Sequence, residues 1–103
     1  MSDTIFGTFT ADTNSEVFTV SGDGESAGVG IFVHVRFASG TGTVTLKRFE
    51  AATSTYQPVI NAAWTSSIDK EITLPHGEQV ILSMSSSSTP VVPFEILNLS
   101  RKY

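Results

Sequence analysis

Residues 29–37 read Val29-Gly30-Ile31-Phe32-Val33-His34-Val35-Arg36-Phe37. Val29, Ile31, Val33, Val35 and Phe37 occupy every second position, so an extended strand places all five on one face. The reverse face carries Gly30, Phe32, His34 and Arg36, a mixture that is neither interior nor ordinary solvent surface. A turn is predicted at Ser39–Gly42, followed by a second alternating run from Thr43 to Phe49. A strand with a dry face and a half-apolar back is expected in a small β domain that docks on something.

The same grammar continues outward. Extended runs are predicted at about Thr4–Thr10, Glu16–Val20, Val29–Ala38, Thr43–Glu50, Tyr56–Ile60, Ile68–Leu74, Gln79–Met84 and Val91–Leu99. Turn-rich segments separate them, including Ser85–Pro90 and Asn61–Ser67, the latter with room for a single helical turn. Ser and Thr make up roughly a quarter of the 103 residues and only 16% are charged, a surface that suits pleated strands. The expected fold is all-β: a single antiparallel β-sandwich spanning residues 1–103, jelly-roll or immunoglobulin-like, with about eight strands.

Alternation also sorts the side chains. The inward set comprises Ile5, Phe9, Phe18, Val20, Val29, Ile31, Val33, Val35, Phe37, Val44, Leu46, Val59, Trp64, Ile72, Leu74, Val80, Leu82, Met84, Phe94 and Ile96. Out of phase with these lie Phe6, Phe32, Phe49, Ile81, Leu97 and Leu99. Gathered into one patch by strand pairing, they would mark an interface.

Charge and composition exclude several classes of function. The net charge is −4, and the first third of the chain holds only acids, from Asp3 to Glu25. Without a basic stripe, phosphate-mediated nucleic-acid binding is not expected. No apolar run is long enough for a bilayer, and the N-terminal residues lack a signal-peptide layout, so synthesis in the cytoplasm is expected. There is no cysteine, which removes disulfides, thiolate metal sites and cysteine nucleophiles.

No constellation points to catalysis, and neither an enzyme nor a cofactor is expected. His34 and His76 lie on different elements without His-x-His spacing, which leaves them as an interstrand hydrogen-bonding residue and a turn residue. Asp12-x-Asn14-x-Glu16 begins like a calcium loop but lacks its glycine and its terminal bidentate acid. The Gly-x-Gly pairs, Gly40/Gly42 among them, open no helix and read as hairpins or bulges. Pro90 and Pro93 cannot donate to a central ladder, so Ser85–Pro93 belongs at an edge or a crossing between sheets, as a candidate partner-contacting arm. Arg101-Lys102-Tyr103 suits a docking tail.

Gly40-Thr41-Gly42-Thr43-Val44-Thr45-Leu46-Lys47-Arg48, followed by Thr55-Tyr56-Gln57-Pro58-Val59, resembles small virion proteins of tailed bacteriophages. In those, a G-T-G-T-V-x-L-x-R-S strand leads through a turn to an aromatic residue. Leu74-Pro75-His76-Gly77-Glu78-Gln79-Val80-Ile81-Leu82 is similar to their second-half strand. Two departures stand out: Phe49–Ser54 replaces the usual Asp-Gly-Gly turn, and Val80-Ile81 replaces an aromatic-Arg pair. The resemblance implies a capsid cement or decoration protein on the outside of the virion, commonly a homotrimer, contacting itself and the major capsid protein. Phe32, Ile81, Leu97, Leu99, Arg101 and Tyr103 are the expected contact residues, with neither nucleic acid nor membrane as partner. The alternative is a tail- or fibre-associated module that binds carbohydrate or a receptor, which would expose Trp64 or Tyr56 beside polar loops.

Overall fold

In the computed structural model, which describes residues 4–21 and 29–99, the alternating run forms β4 (Val29–Val35). Its burial alternates residue by residue, as the pattern requires. Around it lie β1 (Thr4–Phe9), β2 (Thr13–Asn14), β3 (Phe18–Thr19), β5 (Ser39–Glu50), β6 (Thr55–Trp64), β7 (Ile68–Leu74) and β8 (Gln79–Asn98). Every pairing is antiparallel.

Two layers share β8. Its second half lies between β1 and β4, with β7 beyond β4; its first half lies between β5 and the short β2 and β3, with β6 beyond β5. Apart from β2–β3 and β5–β6, each step along the chain passes from one layer to the other. That order makes the β-sandwich a jelly roll rather than an immunoglobulin-like domain.

The two predicted turns at Ser39–Gly42 and Ser85–Pro90 are not turns. They lie opposite each other in one long ribbon. Ile31 to Val35 pair with Asn98 to Phe94. The Arg36 and Ala38 amides then donate to the Pro93 and Val91 carbonyls. Pairing resumes at Ser39↔Val91 and runs on to Arg48↔Val80, with register shifts on either side of Thr41.

Bulges bend a ladder without ending it, and here they carry the ribbon from one layer into the other. Gly40, Ser86 and Thr89 take positive φ at this corner. A Cβ on Gly40 would lie 2.1 Å from the Thr89 carbonyl oxygen, so only glycine fits. Ser85–Pro93 is therefore part of the frame, with Pro90 buried, and not a free arm. β6 likewise outruns its predicted end at Ile60 and reaches Trp64. A register shift opposite Thr45–Lys47 and a positive φ at Asn61 mark a bulge where a turn or helical turn was expected.

The interior follows the expected inward set closely. Phe37, Val59, Trp64 and Ile72 are half-buried and pack against it, and Val92 and Ala62 join it. Phe9 stacks on Phe94 with ring centroids 4.5 Å apart. Gly7 sits opposite Phe94, where an added Cβ would meet the ring at 2.9 Å. The outer edges differ in their defences. β6 carries Pro58 and the bulge, while β7 carries Lys70 at a core-facing register position yet exposed, both recognised deterrents to edge-to-edge pairing.

Candidate interaction surface

The outward side chains of the β1–β8–β4–β7 layer form rows fixed by register. One row reads Thr4, Leu97, Phe32, Glu71; the next reads Phe6, Glu95, His34, Asp69. Beyond the first row, the Leu99 amide donates to the Gly30 carbonyl at 2.9 Å. A Cβ at Gly30 would touch both Leu99 and the Glu71 carboxylate, so these two side chains converge over the glycine.

Phe32 and Leu97 thus lie directly opposite each other, with Leu99 beside Gly30 and Phe6 diagonal to Leu97. Phe32 and Leu97 are half-buried by their neighbours. Phe6 is 74% and Leu99 38% exposed. Alternation places Phe6 in the outward set but it is not one of the six expected contact residues, although it is the most exposed member of the patch.

Carboxylates rim this apolar centre. The His34 Nδ1 contacts Asp69 Oδ1 across the β4–β7 pair, which is the interstrand role read from the sequence. Glu71 and Glu95 have no ion-pair partner among the described residues. Nor have Arg36, at the end of β4, and Lys70, on β7.

Ile81 is elsewhere. It faces outward from the other layer, directly opposite Lys47 of β5, and is only 5% exposed. The expectation of a single patch fails here for a topological reason. β8 belongs to both layers, so Ile81 in its first half and Leu97 in its second face opposite sides of the sandwich. Phe49 shares Ile81's layer, in edge-to-face contact with Tyr56 at 5.3 Å. Arg101 and Tyr103 lie outside the described residues.

The remaining motifs take structural positions. Asp12 accepts a hydrogen bond from the Ser87 amide at 2.9 Å. The Ser87 hydroxyl first, and that amide second, hold the Asp12 carboxyl below its ordinary value. This ties the segment after β1 to the corner. Pro75–Glu78 is a turn closed by the Glu78 amide on the Pro75 carbonyl, with Gly77 at φ +91°, and His76 sits within it. Asn98 is 4% exposed and accepts a hydrogen bond from the Ser21 amide. Trp64 packs against the interior rather than standing out beside loops.

Comparison of the chain with protein-family models, with curated proteins and with solved structures returns no match.

Proposed function

We propose that this chain is a non-enzymatic adhesion module that assembles with copies of itself through the outer face of the β1–β8–β4–β7 layer. The observation that carries this reading is the convergence of Phe6, Leu97, Phe32 and Leu99 on one face, around half-buried Phe32. Apolar groups gathered in this way and rimmed by polar ones have the anatomy of a protein interface. A stable contact of this kind buries about 800 Å² on each partner.

The resemblance of Gly40–Arg48 and Leu74–Leu82 to small phage virion proteins extends the proposal. On that basis the chain is a capsid cement protein, acting as a homotrimer that bridges neighbouring subunits of the major capsid protein on the virion exterior. The test has two parts. Light scattering of the purified chain should give a multiple of the 11.0 kDa monomer, and Phe32→Asp should give folded monomer. Imaging of a particle should place the chain on the head. Unchanged mass in the variant, or a position away from the capsid, would refute the corresponding part.

A further inference from the structure

We infer that β1 is a strand-addition edge, and that it pairs antiparallel with β1 of a second copy across a twofold axis. A six-residue strand pair is marginal by itself, so this contact rests on the self-association reading above and adds a second interface to it.

Among the described residues the layers end at β1, β7, β6 and the β2–β3 segment. Three of these edges are blocked against backbone pairing. β6 carries Pro58 and its bulge, β7 carries Asp69, Lys70 and Glu71, and β2 and β3 are two residues each. β1 reads Thr4-Ile5-Phe6-Gly7-Thr8-Phe9, without charge, proline or register shift.

Its backbone is free on the outer side. Alternate residues of an antiparallel strand turn their amides and carbonyls to opposite neighbours. The bonds of Leu99 to Gly30, Arg36 to Pro93 and Ala38 to Val91 show that odd-numbered residues of β8 turn to the β4 side. Its even-numbered residues therefore turn to β1, where Ile96, Phe94 and Val92 face Ile5, Gly7 and Phe9. The backbone groups of Phe6 and Thr8 point away from β8, and no described segment bonds to them.

A second copy's β1 fits this edge. It is the unblocked edge that a copy offers, and an uncharged strand meets itself without repulsion. With Gly7 opposite Gly7 at the axis, Phe6 of each copy faces Thr8 of the other, and the free groups of both residues bond. That register also sets each exposed Phe6 ring on a threonine, a favourable aromatic–β-branched pair. On the inner side Val17, 47% exposed, lines one cavity with Ile5, so the added strand covers apolar side chains on both faces. Glu95 and its counterpart stand three strand spacings apart, about 14 Å, beyond the screening length of about 8 Å.

The experiment uses the full chain. Thr8→Pro removes an outward amide and leaves the β8 ladder intact. It should fold normally and lower the assembled mass about twofold or more. Hydrogen exchange reads the same contact on the unaltered chain. The Phe6 and Thr8 amides should exchange about tenfold or more slower in assembled protein than at monomeric dilution. Those of Ile5, Gly7 and Phe9 should be protected in both.

Phe6 and Thr8 amides that stay fast in the assembly, or folded Thr8→Pro protein of unchanged mass, would overturn the edge pairing. If Phe32→Asp still abolishes assembly in that event, the outer-face contact survives. Should Thr8→Pro fail to fold, the exchange measurement decides. Protection that appears only when another protein is added would assign the edge to a foreign strand and overturn pairing between copies. An unaltered chain that is monomeric at all concentrations removes both contacts.

Discussion

The two outer faces of the sandwich begin from similar material and end differently. Each receives apolar side chains out of phase with the core: Phe6, Phe32, Leu97 and Leu99 on one, Ile81 and Phe49 on the other. On the second face the chain covers them itself. Ile81 is buried opposite Lys47, whose aliphatic stem suits it for lying along apolar surface. Phe49 is engaged with Tyr56, and at the end of the same layer Arg48 is ion-paired with Glu78. On the first face, Phe6 and Leu99 stay open and the carboxylates of Glu71 and Glu95 stay unpaired. An out-of-phase apolar residue thus stays open to solvent only where neighbouring strands leave it uncovered.

Substitutions can break that comparison. The largest effect is expected at the corner that holds the faces apart. Gly40→Ala forces a side chain into φ +78° and against the Thr89 backbone, and should destabilise the fold by about 3 kcal/mol or more in chemical denaturation.

Next comes Ile81→Asp, which puts a charge where the chain has already excluded water. It should lose about 3 kcal/mol, whereas Phe32→Asp should lose assembly while its thermal transition survives. Equal destabilisation by both would mean that the faces do not differ.

The smallest effect concerns Asp12. Its carboxyl is depressed in the folded state, so its stabilising effect is present above the unfolded value of about 4. That effect disappears as pH falls through the lower folded value. Asp12→Asn should melt slightly below the unaltered chain at pH 7, and the difference should close in acid.

Much of the fold is legible in the alternation. Ile68–Leu74 is a strand at the expected bounds, Val29–Val35 begins where expected and ends three residues short of Ala38, and the inward residues of the β-sandwich cluster as period two requires. The corner is not legible, because glycine and serine signal a turn and a bulge alike. Whether Gly40 and Thr89 end a strand or bend it depends on what lies opposite, and that is fixed only in three dimensions. The same limit applies to the outward apolar residues. Periodicity identifies Ile81 and Leu97 as outward residues of their strands, but a single strand that changes layers sends them to opposite sides.

The dependence of the fold on β8 bears on how it is made. Among the described residues, β1, β2 and β3 pair with β8 and with no other strand, and the ladder that joins β4 and β5 to it spans contacts as distant in sequence as Ile31 and Asn98. During synthesis these segments leave the ribosome well before their mate does. The β5–β6 and β4–β7 pairs can form early, but the rest must wait, with Phe9, Phe18 and Ile31 in water. Such long-range pairing is slow and leaves the nascent chain prone to aggregation, so folding is largely postponed until the last strand has emerged.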